Sequence, residues 1–181
     1  ALPILTNEAD GFPGLKAFTP FGGAYTLNAT GTTDNTASSV IGVKFGDDYA
    51  RLINAKGDPF KLGEFRDQDI TGQNNLPVPG RVADLEGWIG MQLAHKACVV
   101  RICNLTAQSG KGLTDALGGA ALDLLPTGIK PDVWFMSKRS RTQLRTSRST
   151  PENVYPAMPT ELDGIPIIVT DSLLNTDSVE S

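Results

Sequence analysis

One histidine in 181 residues, His95, leaves acid–base chemistry at neutral pH almost without its usual side chain. A histidine-rich metal site is excluded, and no serine stands in a G-x-S-x-G elbow. His95 itself reads as a strand-end residue on the surface or in a contact. Cysteine is nearly as scarce. Cys98 and Cys103 lack the C-x-x-C spacing of zinc and redox motifs. Their odd spacing puts them on opposite faces of one strand, so they are expected to be buried free thiols of a reducing compartment. No apolar run approaches the ~20 residues of a membrane-spanning helix. Basic charge is not in excess, since 16 Lys and Arg face 20 Asp and Glu for a net charge of -4. Phosphate neutralisation needs the reverse, so a surface that holds nucleic acid throughout is excluded.

What is present is a globular composition, 40% hydrophobic and 20% charged, long enough for one ordinary domain or two small ones. Nineteen glycines and twelve prolines exceed average usage of about 7% and 5%, which predicts a turn-rich, β-leaning chain with long loops. The expected class is α+β. Residues 1–38, broken by Pro3, Pro13, Pro20, Gly22 and Gly23, read as an extended arm that a neighbour must order. Residues 39–106 read as a β-rich domain and residues 107–181 as an α/β domain.

Within the β-rich part, Val40 to Phe45 is a strand-type run, and Pro59 to Phe65 is a second candidate. Asp67 to Gly80 is expected to be a long loop. From Arg81 to Leu93 the apolar residues alternate, which predicts one half-buried strand of about 40 Å with a bend at Gly87 and Gly90. Ala97 to Leu105 follows as a partner strand buried on most of both faces. Gly110-Lys111-Gly112 fails as a phosphate loop, because Leu105 stands where the first glycine is needed and Gly112 where Ser or Thr is needed. It reads as a flexible connector. A helix capped by Thr114 or Asp115 carries Leu117, Ala120, Ala121, Leu124 and Leu125, and ends at Pro126 and Gly128. Val133 to Met136 is a short strand, and Ser137 is the N-cap of a second helix with Leu144 as its main apolar anchor.

Two charged constellations are candidate sites. Asp84 and Glu86, about 7 Å apart on one strand face, could do acid–base or metal work in a cleft; a solvated face is the plainer reading. Lys138, Arg139, Arg141, Arg145 and Arg148 make the second helix basic, with Arg141, Arg145 and Arg148 at i, i+4 and i+7. That face suits DNA or an acidic partner, or is simply an exposed, solvated helix.

The order of segments carries a resemblance. Ser39 to Asp48 (SVIGVKFGDD) is similar to an "S-I-Y-x-V-R-F-G" block, and Phe60-Lys61-Leu62-Gly63-Glu64 to "V-x-D-L-G-E". Trp88 to Leu93 followed by Val99 to Leu105 resembles "W-x-x-G-L-A … V-V-R-I-x-N-I". The run Val133 to Met136, the basic helix, and Asp163-Gly164-Ile165-Pro166-Ile167 with Thr170 to Thr176 complete the set. Together they resemble the major capsid proteins of tailed double-stranded-DNA bacteriophages, of the Hong Kong 97-like fold, over roughly residues 39–178. The block order matches a podophage branch with permuted connectivity.

The resemblance implies a non-enzymatic coat protein that self-assembles in the host bacterial cytoplasm into the icosahedral shell of the virion. The β-rich part would be peripheral-type and residues 107–181 axial-type. Partners would be copies of the chain in hexamers and pentamers, and further scaffolding, decoration or portal proteins. Packaged DNA would be touched only weakly and non-specifically. Salt bridges from the basic helix to acidic loops of adjacent subunits then become its most natural role. No cofactor, metal or membrane is expected. The family's long spine helix and neighbour-clasping extended loop find no counterpart in the sequence pattern. With Ala1 rather than Met at the start, the chain is expected to be a C-terminal part of a longer polypeptide. The rivals are a decoration or tail protein, and a hydrolase using Asp84 and Glu86.

Overall fold

The computed structural model describes residues 14–54, 61–71, 75–87, 89–153 and 155–181. The fold is mixed α+β with many strands and few helices, the class expected. The chain divides into two compact units, residues 1–51 with 92–181, and residues 52–91.

In chain order the elements are α1 (Leu15–Phe18), β1 (Thr26–Asn28), β2 (Ser38–Val43), β3 (Ala50–Asn54), β4 (Lys61–Leu62), β5 (Arg66–Thr71), β6 (Pro77–Val82), β7 (Leu85–Glu86) and β8 (Ile89–Leu93). A 3-10 turn at Lys96–Cys98 leads into β9 (Val99–Leu105). Then come α2 (Asp115–Asp123), β10 (Val133–Met136), α3 (Lys138–Ser147), β11 (Glu161–Leu162) and β12 (Ile165–Val169).

The larger unit is built on a six-stranded sheet of order β1-β9-β2-β10-β12-β11. β1 runs parallel to β9, and β12 parallel to β10; the other neighbours are antiparallel. Every residue of β2 and β9 is buried. Strands covered on both faces need no alternation, which is why these read as continuous apolar runs. The pairings Val40↔Ile102, Gly42↔Val100 and Trp134↔Gly42 place those residues on one face. There they join Met136, Leu113, Ala121, Leu144, Leu162 and Ile165 in the main core. Gly42 is required by contact: a Cβ there would stand 2.7 Å from the Trp134 ring and 2.9 Å from Val100.

Both predicted helices form with the predicted caps. Thr114 Oγ1 accepts from the Leu117 amide at 3.2 Å, satisfying one free donor of the first turn. α2 turns Gly118 and Ala121 inward, and Gly118 lets it approach Leu162, whose Cδ1 would lie 2.8 Å from an added Cβ. In α3, Ser137 Oγ accepts from the Ser140 amide at 3.2 Å, and Ser140 and Leu144 are buried.

The structure draws its divisions elsewhere than at residues 38 and 106. β2 and β9, from the segment 39–106, share a sheet with β10, β11 and β12, from 107–181. β1, from the supposed arm, adds to the same sheet through its ladder with β9. Backbone hydrogen bonding leaves no apolar period in a polar segment, so the pattern did not announce it. The Gly110 connector is a hydrogen-bonded turn inside this unit, with Lys111 N donating to Gln108 O and Thr106 N to Lys111 O, both at 3.1 Å.

The smaller unit corrects two further expectations. The described parts of the interval expected as a loop are largely strand: β5 and β6 pair antiparallel in register from Arg66↔Val82 to Thr71↔Pro77. The single long strand from Arg81 to Leu93 is broken into β6, β7 and β8, with Ala83 and Asp84 between the first two. Outside β5–β6, Lys61 and Leu62 pair with Glu86 and Leu85, and outside those β3 pairs with β8. The result is a set of nested two-stranded ladders. Pro59, Phe60 and Trp88, which carry part of the strand pattern and of the resemblance, lie outside the described residues.

Candidate interaction surfaces

The basic side chains of α3 are largely spent within their own chain. Arg139 donates to three backbone carbonyls, Asn175 at 3.0 Å, Thr36 at 2.6 Å and Leu105 at 3.1 Å. Burial holds its guanidinium below the ordinary arginine value. Arg141 Nε donates to Pro159 O at 2.8 Å, and Arg145 Nε to Pro156 O at 2.7 Å. The Arg145 guanidinium lies 5.8 Å from the centre of the Tyr155 ring. Arg148 forks onto the Asp115 carboxylate and donates to Glu161 O at 3.2 Å. The hydrogen bond to Asp115 raises its pKa.

The i, i+4, i+7 face therefore exists, but it meets the segment 156–161 and Asp115. Prolines deprive that segment of ladder partners, and arginine forks supply donors to carbonyls that have no strand to bond. Only Lys138 of the five projects well into solvent, and it pairs with Asp171 at 3.1 Å.

On the smaller unit, Asp84 is bound by Arg66 at 2.8 and 3.3 Å, and its own carbonyl accepts from the Gly63 amide at 2.7 Å. Glu86 stands opposite Lys61. Both carboxylates are exposed and belong to separate stretches of backbone, since Asp84 lies outside β7. Asp67 pairs with Arg81 at 3.2 Å. These ion pairs dress the ladders with charge of both signs.

Exposed apolar side chains stand on these ladders and beside them: Leu62 is 63% exposed and Leu85 69%, and Phe65 and Leu76, just before β5 and β6, are 67% and 61%. Leu62 and Leu85 are direct cross-strand partners. Pro77 and Pro79 occupy alternate positions of β6 facing Thr71 and Asp69. A proline has no amide to donate, so β6 lacks two of its backbone donors, and prolines in exposed strands are a known guard against indiscriminate strand addition.

A third cluster was missed by sequence reasoning. Arg101, in the middle of β9, is 2% exposed. Its Nε and Nη2 donate to Ser39 Oγ at 3.1 and 2.8 Å, and Nη1 donates to Thr19 O at 3.1 Å. The same guanidinium grips both carboxylate oxygens of Glu180. The available signal was one arginine inside an otherwise apolar run, which at such burial demands a paired anion.

His95 is on the surface, as expected, but stands two residues past the end of β8, where it caps the 3-10 turn through Nδ1, which accepts from Ala97 N at 3.0 Å. Cys98 and Cys103 are buried free thiols, although Cys98 sits in the turn rather than in a strand. Burial raises the Cys103 thiol. Among the described residues no helix is long and apolar enough to cross a membrane, and no cluster of His, Cys, Asp and Glu could hold a metal ion. No protein-family model and no curated protein matches the chain.

Proposed function

We propose that this chain is a structural subunit that tiles with copies of itself, as a major capsid protein of Hong Kong 97-like fold enclosing phage DNA. The observation that carries the reading is the smaller unit. β4 with β7 and β5 with β6 form short two-stranded ladders, with Leu62, Phe65, Leu76 and Leu85 on or beside them turned to solvent. Two strands alone are marginal in water, and apolar area of this kind marks a contact surface. The resemblance left the family's neighbour-clasping loop without a counterpart; this ribbon is the element of the chain suited to that part. The charged pairs Arg66–Asp84 and Arg81–Asp67 would keep it soluble until it docks.

The salt bridges of the basic helix are assigned differently from the initial expectation. Arg139, Arg141, Arg145 and Arg148 hold the sheet-bearing unit together, so Lys138 and Asp171 are what α3 and its neighbour offer outside. Subunit and DNA contacts would then fall mainly on other surfaces. Assembly sums many weak contacts under symmetry.

The test is negative-stain electron microscopy of the purified protein over a concentration series, beside a Leu62→Ser/Leu85→Ser variant. Capsomer rings or closed shells from the natural chain, and dispersed particles from the variant, are expected. A natural chain that stays monomeric at every concentration, or forms only fibres, would overturn the proposal.

A further inference from the structure

Residues 177–180 lie in a seat built like a peptide-binding site. Asp177 exchanges both backbone hydrogen bonds with Ala37, at 3.0 and 3.1 Å. The Val179 amide donates to Asp34 Oδ1 at 2.9 Å. Asn104, in the left-handed region at φ 57°, turns its side-chain amide flat against the backbone of Glu180: Oδ1 accepts from Glu180 N at 2.9 Å and Nδ2 donates to Glu180 O at 2.8 Å. These contacts read an extended backbone without regard to side chains.

Selectivity comes from charge. Arg101 grips the Glu180 carboxylate, and Lys16 reaches Asp177 at 3.0 Å and Glu180 at 3.4 Å. The last buried apolar side chain of the chain's described end is Leu173, and Ser178 is exposed. Beyond Leu173 the segment is thus held by polar contacts, the kind that open locally at low cost. Beside it lies a hollow of about 380 Å³ whose lining includes Lys16, Arg101, Leu174, Asp177 and Glu180, so solvent reaches the carboxylates.

We propose that this seat is a receptor for an extended acidic segment of pattern Asp-x-x-Glu, filled internally by residues 177–180, and that it also accepts the same segment from a second copy of the chain. Arg101 makes exchange more favourable than simple release, because a bare, buried guanidinium is costly until another carboxylate arrives. The inference rests on the assembly reading only for the presence of a second copy. Binding of a free peptide tests the seat by itself, so its failure and a failure to assemble are separate results.

The experiment titrates the full chain carrying Asp177→Lys and Glu180→Lys, whose strap is repelled by Lys16 and Arg101, with a fluorescein-labelled peptide of residues 175–181. Anisotropy is read at low salt. Saturable binding is expected, about tenfold or more tighter than to the natural chain, whose tethered strap competes at an effective concentration of order millimolar. Replacing the peptide's Glu by Gln should weaken binding about tenfold, and 0.5 M salt should weaken it further. Equal binding to natural and altered chains, indifference to the Glu→Gln change, or no binding would overturn the proposal. Should the double-lysine chain fail to melt cooperatively, the same titration of Asp177→Ala/Glu180→Ala decides between these outcomes.

Discussion

All residues of β2 and β9 are buried, whereas every residue of β5 is exposed, though β5 has a partner over six residue pairs. The two units separate what a β-ladder needs from what a core needs. In the larger unit, ladder and core coincide: the sheet's face carries Trp134, Val100, Ile102 and Met136 against α2 and α3. In the smaller unit the ladder hydrogen bonds are made, yet among the described residues β4, β5 and β7 stay exposed throughout. A ladder without a covered face is held by its hydrogen bonds alone, and two strands by themselves are marginal in water.

That contrast is broken most directly in the core. Trp134→Ala removes the largest fully buried side chain and should cost about 3–5 kcal/mol in urea denaturation. Phe65→Ala, on the smaller unit, should change the same transition by no more than about 0.5 kcal/mol. Equal costs would mean that the ribbon is covered in solution after all.

Overpacking is a finer probe. Gly42→Ala inserts a Cβ against Trp134 and Val100 and should destabilise by about 1–3 kcal/mol. The same change at Gly110, with φ 73° and no atom near an added Cβ, acts through backbone strain alone, about 1 kcal/mol.

The strap gives a pH-dependent contrast. Burial would raise the Glu180 carboxyl, but the hydrogen bond and charge of Arg101, helped by Lys16, outweigh it and hold the carboxyl below its ordinary value. A folded-state pKa below the unfolded one stabilises fully above the unfolded value, and the stabilisation is lost as pH falls through the folded value. The protection of the Val179 and Glu180 amides, relative to their intrinsic exchange, should therefore fall below about pH 4.3 while that of β9 holds. Glu180→Gln should remove that dependence, with a stability loss of about 1–3 kcal/mol at neutral pH.

A further modest effect is expected at a helix end. Thr114→Ala deletes the side-chain acceptor for the Leu117 amide and should cost about 1 kcal/mol in thermal or urea unfolding.

The legible parts of the fold were those with local chemistry. Thr114 and Ser137 announced helix starts because a cap is a contact over three residues. Val133 to Met136 and Val99 to Leu105 announced buried strands by composition. β5 and β6 escaped notice because Arg66 to Thr71 and Pro77 to Val82 contain Gly, Pro and charges at positions that a covered strand would fill with apolar residues. The basic helix was legible as basic, but the carbonyls that occupy its arginines belong to residues 11 to 103 positions away in sequence. No spacing rule reports such partners. Arg101 and Asn104 were hidden in the same way, their partner Glu180 standing 79 and 76 positions off.

The sequence by itself determined the covered strands β2, β9 and β10, where α2 and α3 begin, and that the cysteines are apart. Periodicity, capping and composition act over a few residues, so one chain read in order contains them. Tertiary structure alone decided the divisions between units, the adoption of Thr26–Asn28 into the main sheet, and the inward duty of four arginines. Those depend on which distant backbone groups lack partners, and an unpaired carbonyl or a buried guanidinium is defined only once the chain has closed on itself.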